Sequence, residues 1–325
     1  MSFFCGEISD SIVSDWEKIL PECSTNTIFI TPWWQSIWWK RFARDQSLVV
    51  VSIREGTDIL GIIPLIQLDG ELTFIGDPEV FDYMDFPVVV GREERFFELL
   101  WVEIAKLPWR FLSLKSVPEA SPTLVHLVNL ARSQGCNVSV SEVDKTPYTI
   151  LPDNWEDYLL GLRKKDRHEL RRKMRRLQSG KEYKQHLATI EGGNGEEIME
   201  EFFRLMALSS DEKSNFLDSS NKRFFIDIAQ ELSNRGQFKL FYLKINEINV
   251  AACICFDYDG KFLLYNSGYD PDYSSLSVGL LNKAFTIDTA IEEGKTEYNF
   301  LKGIERYKYH LGAEDRIVYD IEVSR

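Results

Sequence analysis

A chain of 325 residues, 44% hydrophobic and 27% charged, suits two compact domains better than one and can bury a sizeable core in each. No apolar run approaches the ~18 residues a membrane helix needs, and Met1–Glu7 lacks the basic region and long apolar core of a signal peptide, so a cytoplasmic protein is expected. The formal net charge of −13 is the background against which any basic cluster stands out, while five cysteines (Cys5, Cys23, Cys136, Cys253, Cys255) without a framework spacing and four scattered histidines exclude a disulfide scaffold and a zinc site.

In chain order, Thr31 and Pro32 fit the cap and first position of a helix that carries Trp33, Trp34, Trp38 and Trp39, either a core helix or the lining of an acyl or aromatic pocket. Residues 47–53, 59–67 and 71–76 read as a β-meander with turns at 55–58 and at Asp69-Gly70. The segment after it, Asp77-Pro78-Glu79-Val80-Phe81-Asp82-Tyr83-Met84-Asp85-Phe86, gathers four carboxylates around an aromatic body, which suits either a cationic amine or a solvated loop. Helices are expected over 93–107 and 121–134, strands over 110–115 and 137–143, and Pro147 and Pro152 mark a junction to the second half.

Residues 155–178 form an amphipathic stripe of Trp155, Leu159, Leu162, Leu170, Met174 and Leu177, broken at Asp166. Nine basic residues between Arg163 and Arg176 crowd its other faces. Such a helix offers contacts to tRNA phosphates, to the phosphates of CoA or to an acidic carrier protein, or is simply solvated and paired with the acidic remainder.

A strand at 183–190 and two helices then lead into a second meander, 238–245, 250–258 and 261–268. Cys253 and Cys255 alternate onto one face of its middle strand, as core residues do. A shift of 190 residues lays Asp69-Gly70 on Asp259-Gly260 without a gap (259 − 69 = 190), the mark of a duplicated unit. Past the polar loop 269–275, Leu280, Ala284, Ile287 and Ile291 follow helical spacing up to Gly294, and 296–301 returns as a strand. The first amides of that helix, at Ser277, Val278, Gly279 and Leu280, make a natural anion site, with Gly279 allowing close approach.

This ending, Ser277-Val278-Gly279-Leu280-Leu281, then Asn299-Phe300-Leu301-Lys302-Gly303, then Tyr307-Lys308, resembles the GNAT superfamily of acyl-CoA N-acyltransferases in its FemAB-like and CelD-like branch. The family aspartate is Asn299 here, and only one glycine remains of the usual pyrophosphate signature. The resemblance implies an α/β (α+β) protein of two tandem GNAT-like domains, 1–150 and 151–325, each a twisted, mixed, largely antiparallel sheet flanked by helices. The first would be degenerate and bind the acceptor, its 82–86 segment resembling the family's "DYxDF" loop; the second would hold acyl-CoA as co-substrate, with no metal. The implied reaction is direct attack of an amine, on a small molecule, sugar or peptide, upon the thioester. Asn266, Ser267 and Gly268 are the expected oxyanion donors, Ser277 to Leu280 the donor-binding residues, Tyr307 the acid for the thiolate, Glu305 or Asp85 the group serving the amine, and Lys308 a charge balance. Two alternatives stay open: an aminoacyl-tRNA-dependent transferase of the FemAB-like kind, and a catalytically silent binding module.

Overall fold

The computed structural model describes residues 8–43, 45–179 and 182–325; Cys5 and the Met1–Glu7 segment lie outside them. The chain divides into two compact units, one running to Lys145 and taking back Arg316–Arg325, the other Thr146–Asp315. The first contains α1 (Asp10–Ile19), α2 (Pro32–Phe42), β1 (Ser47–Glu55), β2 (Asp58–Leu68), β3 (Glu71–Phe74), α3 (Glu93–Ile104), β4 (Phe111–Pro118), α4 (Thr123–Ser133) and β5 (Asn137–Lys145). The second contains β6 (Tyr148–Ile150), α5 (Trp155–Gly161), α6 (Lys164–Gln178), β7 (Tyr183–Ala188), α7 (Gly195–Ser209), α8 (Asp211–Phe216), α9 (Ser219–Asn234), β8 (Phe238–Ile245), β9 (Ile248–Tyr258), β10 (Lys261–Tyr269), α10 (Val278–Glu292), β11 (Glu297–Asn299) and α11 (Arg306–His310). The last strand, β12 (Ile317–Ser324), belongs to the first sheet.

The sheets are six-stranded, ordered β1-β2-β3-β4-β12-β5 and β6-β11-β10-β9-β8-β7, and each is antiparallel apart from one parallel pair. They are built alike. Strand β2 spans 58–68 and β9 spans 248–258, an offset of 190; Asp69-Gly70 and Asp259-Gly260 turn with positive φ at both residues; and the β1–β2 and β8–β9 ladders shift register at Ile53/Arg54 and at Leu243/Lys244, again 190 apart. In both, the third strand pairs in parallel with the next strand of its sheet, β3 with β4 and β10 with β11.

The expected boundary at 150 is corrected at both ends of the second unit. Residues 148–150 pair with β11, and the final strand lies between β4 and β5, where Val318, Ile321 and Val323 are buried. The 155–178 stripe is two helices rather than one. The break falls at Leu162-Arg163 and not at Asp166, since the extended backbone of both residues ends one helix and opens the next. In α7, Met199, Phe202, Phe203 and Leu205 are buried, whereas Leu208 is exposed.

The tryptophan helix is core. Thr31 Oγ1 accepts from the Trp34 amide as an N-cap, and Trp34 and Trp38 pack edge-to-face on Phe81 at 6.1 Å. The acidic segment 77–86 splits by depth: Asp77 and Glu79 are exposed, while Asp85 is 1% exposed and accepts from the hydroxyls of Thr25 and Thr123 and the Phe86 amide. Burial outweighs those hydrogen bonds and raises its pKa. A carboxyl so enclosed ties α4 and the 25 region to the loop, and it has no open face for an amine. Asp85→Ala, which leaves three buried donors without an acceptor, is expected to lower unfolding stability by about 3 kcal/mol or more in a denaturant titration; unchanged stability would contradict the anchoring role.

Candidate active site

In the second unit, β10 pairs with β11 only over 261–263, while its other edge stays on β9 up to Tyr269. Beyond Leu263 the two parallel strands part, and the ladder to β9 is interrupted at Tyr265, between Leu264 and Asn266. A 3-10 turn, Pro271–Leu276, follows β10, and Ser277 in the left-handed conformation (φ 58°) starts α10. Leu281, Ala284, Ile287 and Ile291 bury the helix against the sheet core with Cys253 and Cys255, whose thiol pKa values burial pushes up. Those cysteines are packing residues.

A cleft of about 370 Å³ opens at this helix start, lined among others by Lys213, Ser267, Tyr269, Ser277, Gly279, Lys283 and Tyr307. Ser277 makes no side-chain cap; its amide donates to Ser274 O and its hydroxyl accepts from Lys173 Nζ on α6 at 2.8 Å. The free-amide end of the helix is therefore Val278, Gly279 and Leu280, one residue shorter than expected. A Cβ on Gly279 would stand 3.1 Å from the Tyr269 ring, so glycine lets that ring wall the cleft.

The expected oxyanion residues divide. Asn266 Oδ1 accepts from the Ser267 amide, the Ser267 carbonyl accepts from Lys213, and a Cβ on Gly268 would lie 2.3 Å from the Met206 backbone nitrogen. Gly268 thus serves the close approach of α7, and the Ser267 N–H is already engaged. The strand interruption at Tyr265, which residue spacing alone does not signal, lies just ahead of them.

Tyr307 and Glu305 stand together on the cleft wall. Burial, with the Glu305 charge adding to it, holds the Tyr307 phenol well above its ordinary range, so it stays protonated. Glu305 is half exposed and pairs with Lys308 at 3.0 Å. Lys308 itself is 1% exposed and donates to the carbonyls of Leu301, Lys302 and Gly303. Besides facing the Glu305 carboxylate, Lys308 cages the loop after β11. Asn299 works beside it, accepting from the Leu301 amide at 2.9 Å where Leu301 takes a positive φ of 58°. A buried amide in this posture shapes a turn and holds no proton in play.

Two lysines went unnoticed in the sequence. Lys213 on α8 and Lys283 on α10 both face the cleft, and the nearby polar loop gave no periodic signal pointing to either. A second hollow of about 320 Å³ shares Leu280 and Tyr307 with the cleft and reaches Lys165, Asp166, Glu169 and Lys173 of α6. On that helix Arg171 pairs with Glu156, and Arg172 and Lys173 hold Glu169, whose pKa falls to about 2. Arg163, Lys164, Lys165, Arg175 and Arg176 are exposed and have no partner among the described residues. Among the described residues no His, Cys, Asp or Glu cluster is gathered to hold a metal, and no helix is long and apolar enough to cross a membrane.

A family profile described as an acetyltransferase (GNAT) domain matches residues 164–309, from the start of α6 to the Tyr307-Lys308 turn. The second unit is a GNAT domain. No curated protein matches the chain in sequence. Among solved structures, FemX shares 12% identity at a TM-score of 0.69, with 99% of this chain and 97% of FemX covered. L-PGS from Bacillus licheniformis shares 11% at 0.61, covering 99% and 94%, and a conserved protein of unknown function from Bacteroides thetaiotaomicron shares 12% at 0.61, covering all of both chains. At these identities the likeness is one of fold, and it extends over both units. The chain thus shares the two-unit fold of these structures, with the profile match confined to its second unit.

Lys308 gives this assignment a test of structure. Lys308→Met strands three carbonyls, that of Leu301 buried and those of Lys302 and Gly303 partly so, and we expect it to lower unfolding stability by roughly 2 kcal/mol or more and to speed amide exchange around 301–303. Wild-type stability with lost activity would instead mark Lys308 as chemical.

Proposed function

We propose that the chain transfers an acyl group from acyl-CoA to an amine acceptor in the β10–α10 cleft. The observation that carries this reading is the parting of β10 from β11 in front of an uncapped helix start: a slot between strands for an extended thioester arm, ending on amides and a dipole suited to phosphate. Attack by the amine converts the thioester carbonyl into a tetrahedral oxyanion, which collapses with loss of the thiolate; backbone amides at the interruption of β10 are the nearest oxyanion donors. An alkylammonium of pKa near ~10.4 must lose its proton first, and Glu305, half exposed on the wall, is the carboxylate in reach of an entering amine. Tyr307, kept protonated, donates to the leaving thiolate. The first unit has turns and coil after β3 in place of a helix start, and we assign it to the acceptor.

A second reading, transfer of an aminoacyl group from tRNA, is favoured by the five unpartnered cations of α6 and its N-cap and by the likeness in fold to FemX. An acidic carrier protein would use the same face.

Gly279→Glu is expected to abolish CoA binding by bulk and charge, and Tyr307→Phe to lower kcat roughly 10²-fold at nearly unchanged acyl-CoA affinity, with chemistry rate-limiting. Full CoA binding by the first variant or full turnover by the second would move the reaction elsewhere.

The two donors separate on salt. If a polyanion docks on α6, replacing Lys164, Lys165, Arg175 and Arg176 by Ala should weaken tRNA or carrier binding and flatten its salt dependence by up to ~0.7–0.9 per lost phosphate contact. A salt-independent affinity in both proteins leaves acyl-CoA as the donor.

A further inference from the structure

Lys213 and Lys283 are left without a use by the acyl transfer as described. Lys283, only 6% exposed, lies in α10 with its Nζ 3.2 Å from the Gly279 carbonyl and 4.8 Å from the centre of the Tyr307 ring. Lys213 reaches in from α8 and donates to the Ser267 carbonyl. Both line the same cavity, and among the described residues neither ammonium has an ion-pair partner. The contrast with Lys308 is direct, since that buried lysine has three carbonyls and a carboxylate around it.

An ammonium taken out of water without a counter-ion is costly, and two in one cavity repel. Burial first, then the charge of Lys283, bring Lys213 down to about 8. The groups facing it from every side are Lys283 on α10, the thiol of Cys253 on β9, Glu305 beyond β11 and Glu212 on its own helix; the two carboxylates push its pKa back up without cancelling the effect. A cleft with this surplus of positive charge is built for an anion.

From this geometry we infer that Lys213 and Lys283 form a two-ammonium subsite for a compact dianion, a phosphoryl, pyrophosphoryl or dicarboxylate group carried by a substrate of the cleft. The hydroxyls of Ser210 and Ser274 on the same lining add neutral donors. The inference rests on the cleft being where substrates enter; it does not depend on which substrate carries the charge. A bound dianion raises the pKa of Lys213, so binding takes up a proton near pH 8, and affinity is full below that pH and falls as pH rises through it.

The test is calorimetric titration of the full chain with inorganic pyrophosphate at about pH 7 and about pH 8.5, in two buffers of different ionisation enthalpy. The parent should lose roughly threefold or more in affinity between the two pH values and show proton uptake at the higher one, while Lys213→Gln shows neither. Lys213→Gln and Lys283→Met should each weaken pyrophosphate about tenfold or more, the worth of one charge-assisted hydrogen bond. Lys283→Met should also raise the melting temperature of the ligand-free protein, because it removes an unpaired buried charge; a merely structural lysine gives the opposite shift. Unchanged pyrophosphate affinity in both variants, or a lowered melting temperature in Lys283→Met, overturns the subsite. CoA titrated in parallel identifies the source: equal weakening assigns the dianion to the donor, and CoA affinity kept while pyrophosphate is lost assigns it to the acceptor, the subsite standing either way. Pyrophosphate bound through both lysines with no CoA binding to the parent would remove the acyl-CoA reading alone.

Discussion

Three residues of parallel pairing, Lys261 to Leu263 against Glu297 to Asn299, hold β10 to β11, and the site depends on that pairing stopping where it does. A longer ladder would satisfy the strand edges and close the slot. What ends it is the turn after β11. Asn299 accepts from the Leu301 amide, Leu301 adopts a left-handed conformation that a branched apolar residue takes only under constraint, and Lys308 gathers three successive carbonyls beneath it. The Tyr-Lys pair thereby divides its labour: the lysine holds the loop, and the tyrosine beside it is carried to the cleft wall.

The other side of the slot is set by two glycines. Gly268 lets α7 press backbone to backbone on β10, and Gly279 lets the Tyr269 ring lie against the first turn of α10. Both positions trade side-chain volume for approach, the usual meaning of glycine inside regular structure. Around them the cleft is cationic in a chain of net charge −13, with Lys173 on Ser277, Lys213 on Ser267 and Lys283 on Gly279. Local charge opposed to the overall charge draws an anion to one place while the rest of the surface repels it.

Much of the scaffold was legible because its signals are local. The Asp-Gly turns, the 190-residue offset and the helical stripe ending at Gly294 are written in neighbouring residues, and the strands fall where they indicate. The site was legible in its neighbourhood and less so in its parts. Tyr307, Glu305, Gly279 and Ser277 do share one cleft, whereas Lys308 and Asp85 proved to be buried anchors, because exposure depends on long-range packing that residue type does not encode. The departure of the final strand to the first sheet, the break at Leu162-Arg163 and the meeting of Lys213 with Lys283 across 70 residues (283 − 213) are likewise products of tertiary contact.

The central claim is that an acyl-CoA lies in the gap between β10 and β11 with its phosphates on the start of α10. Amide hydrogen exchange of the full chain, with and without a saturating acyl-CoA, tests it most directly. The account predicts protection concentrated at Val278 to Leu280 and along β10 from Leu264 to Ser267, with the remainder of the second sheet unchanged. Protection confined to other elements, or none at a concentration where binding is established, would contradict it.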